Sequence, residues 1–241
     1  MPESLAGSSP RFTARMAGFF WLMTAVTGSL ALVGDRSIVA GDAAATAANI
    51  VAHESSFRLG LAANIVATVC YLAATVLVYH LLKPVNRNVS LLAAFFSLAG
   101  CAVSGLNFVF YLAPLAVLGG AQYLSAFTIE QLQALALTFL RLRAQAFYVS
   151  HVFFGLHCLL VGALILRSTF LPRFVGALMT FGGLGWLTMS FANLLSPPLG
   201  RSLDPYILAP GAIGEITLSL WLLLMGVNVQ RWKERAGAVT A

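Results

Sequence analysis

The sequence predicts an all-α fold, a polytopic membrane helix bundle of six transmembrane helices with one or two interfacial amphipathic helices. Hydrophobic residues make up 59% of the 241 residues, and charged residues make up only 9%. Soluble domains carry roughly 25% charged residues, so this chain lacks the polar side chains that would cover a water-facing surface. Its apolar runs are long and continuous rather than alternating, which favours membrane-spanning helices over a β-barrel.

Six apolar runs reach the length of about 20 residues that a helix needs to cross a bilayer. Short segments containing basic residues, proline or asparagine separate the runs and are typical of turns. Within one integral membrane domain, residues 1–241, we place the spans at about residues 16–33, 57–82, 89–112, 146–166, 174–195 and 207–229. Pro114 marks the end of the third span, and residues 199–206 are expected to form a loop.

Two further segments favour helices that lie at the membrane surface. Residues 42–55 begin with Asp42, a good helix N-cap, and continue with a run of alanines. Thr128 and Gln131 have the spacing of a capping box at the start of a helix. That helix, residues 129–143, has one apolar face and is expected in the membrane interface, where it leads into the fourth span as a separate helix or as one bent helix.

The positions of the basic residues predict the orientation of the spans. With six spans and the N-terminus inside, nine lysines and arginines fall on the cytoplasmic side and five on the outer side. Basic residues are enriched in cytoplasmic loops of membrane proteins. We therefore expect a multi-pass protein of a bacterial cytoplasmic (inner) membrane, with the lipid bilayer as its partner and both termini cytoplasmic.

Several classes of protein are not supported by the pattern. The net charge of +6 comes from short basic clusters between apolar runs rather than one polar face, so we expect no nucleic-acid partner. His151 and His157 are six residues apart and lie on different faces of a helix, which does not match a helical metal pair. We predict no metal and no cofactor. The sequence leaves the oligomeric state open.

Polar side chains of several spans are expected to gather in the outer half of the bundle. With the predicted orientation, they would border an outward-facing polar pocket for a small-molecule or lipid ligand. The candidate ligand-binding residues are Arg58, Asn64, Asn107, Arg143, His151, Asn193 and Glu215.

Glu215 is the most informative of these residues, because it is the only acid inside a predicted span. A charged residue within a membrane helix usually faces the bundle interior or a wet cavity and has a partner there. His151, Arg143 and Arg58 are the expected partners, since the predicted topology places them at its depth or just above it. The sequence does not decide between a structural ion pair and a ligand- or proton-handling role.

Three functions remain open from the residues alone. The first is binding or transport of a small or lipid-like molecule in the outward-facing pocket. The second is an intramembrane enzyme that uses His151 and Glu215 as an acid–base pair, which requires the two groups to lie within about 3 Å or one water of each other. The third is a structural or partner-binding membrane protein that has no small-molecule site.

Residues 57–96, with the patterns FRLGL, YHLLKPVNRN and LLAAFF, resemble a bacterial family of integral membrane proteins catalogued only as a domain of unknown function. Residues 41–50 and 153–176 look similar to that family as well. The resemblance covers most of the chain. It implies a compact multi-pass bundle, and it implies no activity, cofactor or catalytic residue.

Overall fold

The computed structural model describes residues 9–240, without the side chains of residues 204, 205, 239 and 240. Within these residues the long elements are all α-helices, and no strand occurs. In chain order the helices are α1 Pro10–Asp35, α2 Ala43–Ala52, α3 Glu54–Leu82, α4 Arg87–Leu118, α5 Ile129–Arg167, α6 Arg173–Leu195, α7 Pro197–Leu224 and α8 Val229–Thr240. A 3₁₀ turn, Gln122–Leu124, lies between α4 and α5.

Six helical segments of the described chain are long and apolar enough to cross a membrane. They are Pro10–Asp35, Glu54–Leu82, Arg87–Leu118, Ile129–Arg167, Arg173–Leu195 and Tyr206–Leu224. Each exceeds or approaches the roughly 20 residues that span the hydrocarbon core. The prediction of an all-α, six-span bundle is therefore confirmed, and the side on which the termini lie stays a prediction.

The outer surfaces of these helices carry large apolar side chains. On α4, for example, Phe95 is 58% exposed and Val109 is 62% exposed, and Leu92, Leu98 and Leu106 are exposed beside them. Such continuous apolar surface is rare on a soluble monomer. It suits contact with lipid chains, because α-helices satisfy their own backbone hydrogen bonds and need only apolar side chains outside.

The ends of the surface segments follow the sequence prediction. The Asp42 carboxylate accepts a hydrogen bond of 2.9 Å from the backbone N–H of Ala45 and so caps α2. At the start of α5, the Gln131 N–H donates to the Thr128 hydroxyl at 3.3 Å, and the Thr128 N–H donates to the Gln131 side chain at 2.9 Å. The capping box is confirmed. Helix α5 then continues for 39 residues, so residues 129–143 and the fourth span form one helix.

Two sequence predictions about helix ends are wrong. Pro114 does not end the third span, because α4 continues through it to Leu118. Proline removes one backbone donor, and membrane helices tolerate this loss where neighbouring groups compensate. Residues 199–206 are helical rather than a loop, since α7 begins at Pro197. Proline suits the first helical turn, where the N–H groups have no partner within the helix.

The C-terminal segment contains a helix that the sequence analysis did not predict. Helix α7 ends at Leu224, Gly226 follows with a φ angle of +72°, and α8 begins at Val229. A left-handed backbone of this kind is readily adopted by glycine. From α8, the Trp232 indole donates to the Leu81 carbonyl at 2.9 Å and Arg231 donates to the Thr169 carbonyl at 3.2 Å.

The chain divides into two compact units. Unit 1 comprises Met1–Met23, Cys70–Cys101 and Tyr148–Ala241, and unit 2 comprises Thr24–Val69 and Ala102–Phe147. Each unit has its own buried apolar cluster. Unit 1 is centred on Trp21, Tyr71, Cys158, Met179 and Leu218. Unit 2 is centred on Ile50, Phe57, Leu61, Tyr111 and Leu140.

Small residues bring α5 and α6 into close backbone contact within unit 1. A Cβ atom on Gly155 would lie 3.0 Å from the Gly183 carbonyl oxygen, and one on Gly162 would lie 2.8 Å from the Gly176 carbonyl oxygen. Glycines at such positions let two membrane helices approach closely, so that van der Waals packing holds them together. This contact fixes the part of α5 that carries His157 and Cys158.

Candidate functional site

The candidate site is built around Glu215 in unit 1. Glu215 lies inside α7, nine residues before the end of the helix at Leu224. The carboxylate is therefore within a helix that is long and apolar enough to cross a membrane. An acid at this position needs polar partners, because lipid supplies none.

Three donors from three other helices meet the carboxylate. The Trp21 indole of α1 donates to Oε2 of Glu215 at 2.8 Å, and the Trp186 indole of α6 donates to Oε1 at 2.8 Å. The Cys158 thiol of α5 lies 3.7 Å from Oε1 and donates a weaker hydrogen bond. An indole N–H can only donate, so this set of partners matches a carboxylate that accepts on both oxygens.

Two buried polar atoms near the partners of the carboxylate have no hydrogen-bond partner among the described residues. These are the Tyr71 hydroxyl and Nε2 of His157. The Trp21, Tyr71 and His157 rings pack together, with centroids 5.5 to 5.9 Å apart. Trp21 connects this ring cluster to Glu215. Buried polar atoms in native proteins are nearly always paired, so an unpaired couple at one place calls for an explanation.

The hydrogen bonds of His157 fix which of its nitrogens carries a proton. Nδ1 of His157 lies 2.8 Å from the backbone carbonyl oxygen of Ala93 on α4, which can only accept. Nδ1 must therefore carry the hydrogen, and Nε2 of the neutral ring presents a lone pair. The ring cluster that contacts Glu215 through Trp21 thus contains an acceptor that has no described donor.

His151 contacts Trp186, whose indole N–H donates to Glu215. The His151 and Trp186 rings meet edge to face with centroids 5.1 Å apart, and Nδ1 of His151 lies 3.3 Å from the Ser150 hydroxyl. Trp186 therefore contacts His151 with its ring and Glu215 with its N–H. His151 and Glu215, paired in the sequence analysis, belong to the same unit, and Trp186 lies in contact with both.

A second polar cluster lies in unit 2. Arg143 on α5 donates to both carboxylate oxygens of Asp35 on α1, at 2.7 and 3.1 Å, and to the Asn107 side chain on α4 at 3.3 Å. Its guanidinium lies 4.4 Å from the Tyr111 ring centroid, and Tyr111 stacks on Phe57 at 4.2 Å. A paired fork of this kind is among the stronger protein hydrogen bonds. This cluster ties α1, α4 and α5 together within the unit.

The other predicted site residues bind their own helices. Arg58 pairs with Glu54 at 2.7 Å, one helical turn away. The Arg58 side chain is 57% exposed and the Glu54 side chain is 50% exposed. Asn64 donates to the Gly60 carbonyl at 3.1 Å, and Asn193 donates to the Met189 carbonyl at 3.0 Å. Of the seven candidates, Arg58, Asn64, Asn107 and Arg143 belong to unit 2, and His151, Asn193 and Glu215 belong to unit 1.

From the sequence, His151, Arg143 and Arg58 were the expected partners of Glu215, and neither Trp21 nor Trp186 was identified as one. Arg143 and Arg58 instead bind Asp35 and Glu54. Trp21 and Trp186 count as apolar in any composition, although each carries one strong donor that seeks a partner when buried. The sequence signal that could have identified Trp21 and Trp186 is a tryptophan within one span of a chain that has a lone acid within another span. Among the described residues, no three His, Cys, Asp or Glu side chains cluster as metal ligands would.

Comparison with known proteins gives a family and no activity. A family model described as a domain of unknown function (DUF4386) matches residues 16–226. An uncharacterized protein of Archaeoglobus fulgidus is 26% identical over 158 residues, which cover 63% of this chain and 74% of that protein. No solved structure matches the chain. Since the family model covers far more than half of the chain, the resemblance noted in the sequence is confirmed, and the protein belongs to the DUF4386 family of unknown function.

Proposed function

We propose that this multi-pass membrane protein binds a small organic molecule that carries a protonated amine, with the Glu215 carboxylate as its counter-charge. The observation that carries this proposal is the set of partners around Glu215. The donors that meet the carboxylate, two indoles and one thiol, are all neutral. They satisfy its hydrogen bonds but leave its negative charge without a cation among the described contacts, and a charge within a membrane helix is costly unless it is compensated.

The surrounding groups suit an ammonium ion. A primary ammonium carries three N–H donors and no acceptor. Glu215, Nε2 of His157 and the Tyr71 oxygen are acceptors in one neighbourhood, and the last two have no described partner. The rings of Trp21, Tyr71 and Trp186 add aromatic faces, which attract cations by about 0.5–2 kcal/mol each. An alcohol of the same length would leave the charge of Glu215 unbalanced.

The experiment compares charged and neutral probes on purified protein in detergent. Butylamine is expected to raise the unfolding temperature and change tryptophan fluorescence, since Trp21 and Trp186 touch the carboxylate. A ligand at 100 times its dissociation constant stabilises the folded state by about 2.7 kcal/mol. Butanol at the same concentration is expected to have no effect, and Glu215→Gln should abolish the response to butylamine.

Glu54→Gln is the matched control, because Glu54 is a half-exposed acid of unit 2 whose side chain binds only Arg58 among the described residues. It should keep the full response to butylamine. Equal responses to butylamine and butanol in the unmodified protein, or an unchanged response in Glu215→Gln, would show that Glu215 binds no amine. Uptake of labelled butylamine into proteoliposomes then separates a carrier from a binding protein.

The wider outward-facing pocket, bounded also by Arg58, Asn64, Asn107, Arg143 and Asn193, stays a prediction. So do the acid–base pair of His151 and Glu215, the structural alternative and the location in a bacterial cytoplasmic membrane. The amine site depends only on groups of unit 1 and on the position of Glu215 within an apolar, membrane-length helix.

A further inference from the structure

A polar pocket of about 360 Å³ lies in unit 2, at the end of the first membrane helix. It is lined by Val33, Arg36, Ser37, Asn49, His53 and Ser56. These residues come from the last turn of α1 and the turn after it, from α2 and its end, and from the first turn of α3. The volume is at the lower end of the range of about 300–1,000 Å³ that small-ligand sites occupy.

Most of the polar side chains that line this pocket have no partner. Arg36, Ser37, Asn49 and Ser56 make no side-chain hydrogen bond to any described residue. Ser37 is only 6% exposed. Nδ1 of His53 donates to the Asn49 carbonyl at 3.1 Å, so Nε2 of the neutral ring can only accept. The guanidinium, hydroxyl and amide groups of the other side chains can donate hydrogen bonds to an oxyanion.

The described acids nearest to Arg36 in the sequence have other partners. Asp35, its neighbour, is held by both guanidinium nitrogens of Arg143. Asp42 caps α2, and Glu54 pairs with Arg58. Among the described residues, the acids nearest in sequence are thus engaged elsewhere, and no carboxylate pairs with Arg36. An arginine fork that has no acid partner matches the geometry of a phosphate group.

We propose that this pocket binds a phosphate group, with the Arg36 guanidinium as the main contact and the side chains of Ser37, Asn49 and Ser56 as further hydrogen-bond donors. Arg36 directly follows α1, whose 26 residues cross the membrane, so the pocket is at the level of the bilayer surface. The phosphate belongs either to a lipid headgroup or to a free phosphate compound. This site shares no residue with the Glu215 site, so either proposal can fail alone.

The test measures phosphate binding to the whole protein under two conditions. In lipid-free detergent, titration with inorganic phosphate is followed by calorimetry. In parallel, phosphatidylglycerol retained by the protein is counted by native mass spectrometry after mixing with phosphatidylcholine. Saturable binding in the first experiment identifies free phosphate as the source, and selective retention only in the second identifies a lipid headgroup.

Arg36→Gln is expected to weaken the observed binding at least about tenfold, as the loss of a charged hydrogen-bond donor predicts. Arg36 is exposed and makes no described contact, so the variant should fold normally. Ser37→Ala should weaken binding less. Arg141→Gln removes an equally exposed arginine from unit 2 and should leave binding unchanged. The proposal is overturned if neither phosphate nor phosphatidylglycerol binds, or if Arg141→Gln weakens binding as much as Arg36→Gln.

Discussion

Two arginine–carboxylate pairs of unit 2 differ in solvent exposure and should therefore differ in how much they stabilise the fold. The Arg143 and Asp35 side chains are 16% and 32% exposed, and Arg143 also binds Asn107 and Tyr111. The Arg58 and Glu54 side chains are 57% and 50% exposed and lie one helical turn apart. Water screens the second pair far more than the first, so the same chemistry should contribute very different amounts of stability.

Arg143→Ala should therefore lower the free energy of unfolding by about 1–3 kcal/mol, because it leaves the Asp35 carboxylate partly buried without its partner. Arg58→Ala should change it by no more than about 0.5 kcal/mol. Unfolding by sodium dodecyl sulfate, followed by circular dichroism, measures both. Equal losses in the two variants would mean that the Arg143 cluster is screened as strongly as a surface pair.

At the residue scale the sequence identifies Glu215 as special but does not supply its partners. A lone acid in an apolar run is visible in any sequence, since burying a charge is costly. Its contacts with Trp21 and Trp186 depend on residues 194 and 29 positions away, which only the helix packing brings together. The pairing of Arg143 with Asp35, 108 positions apart, was hidden for the same reason.

At the scale of the helices, the contact between α5 and α6 depends on glycine. A Cβ atom on Gly162 would lie 2.7 Å from the backbone nitrogen of Thr180 and 2.8 Å from the carbonyl oxygen of Gly176. These are backbone atoms, so a flexible side chain cannot move aside to make room. Gly28 on α1, by contrast, has no atom within 4 Å of the corresponding position.

Gly162→Ala should consequently push the two helices apart and lower the free energy of unfolding by about 1–3 kcal/mol, as overpacking does in other cores. Gly28→Ala should leave it unchanged or raise it by up to about 1 kcal/mol, because alanine favours the helix. Thermal unfolding in detergent compares the two variants. If Gly162→Ala is as stable as the unmodified protein, the close packing of α5 on α6 is not what holds this part of unit 1.

The helices were predictable from the apolar runs, and several of their ends were predictable from caps or from short turns that contain basic residues and proline. Asp42 and the pair of Thr128 and Gln131 act through local hydrogen bonds, so the sequence shows them directly. Pro114 as a helix end and the loop at residues 199–206 were wrong, because the effect of proline depends on whether it falls inside a helix, as Pro114 does, or in the first turn, as Pro197 does. That position follows from the surrounding structure, which local sequence does not determine.

At the scale of the whole molecule, the distribution of basic residues predicts which ends of the helices face the cytoplasm. Lys83 follows α3 and Arg87 begins α4, while Arg167 ends α5 and Arg173 begins α6. Both connections belong to the side that we expect inside, with the two termini. The helix count is confirmed, whereas the orientation depends on this charge bias alone.

Labelling of single cysteines tests the orientation. In a background without Cys70, Cys101 and Cys158, a cysteine at Ser125 should react with a membrane-impermeant thiol reagent added to intact cells. A cysteine at Asn88 should react only after the cells are opened. Ser125 is exposed in the connection between α4 and α5, and Asn88 is exposed in the first turn of α4, so neither substitution disturbs a described core. The reverse pattern would place the termini outside.

Helix α8 also constrains the order in which this protein is completed during synthesis. Its Trp232 and Arg231 donate to the carbonyls of Leu81 and Thr169, and the backbone of Asn228 donates to Phe170. Leu81 is in the last turn of α3, where carbonyls have no partner within the helix. The ribosome synthesises α8 after all six spans. Until then these carbonyls lack the hydrogen-bond donors that α8 supplies, so the packing of unit 1 is completed only after the last span has been inserted.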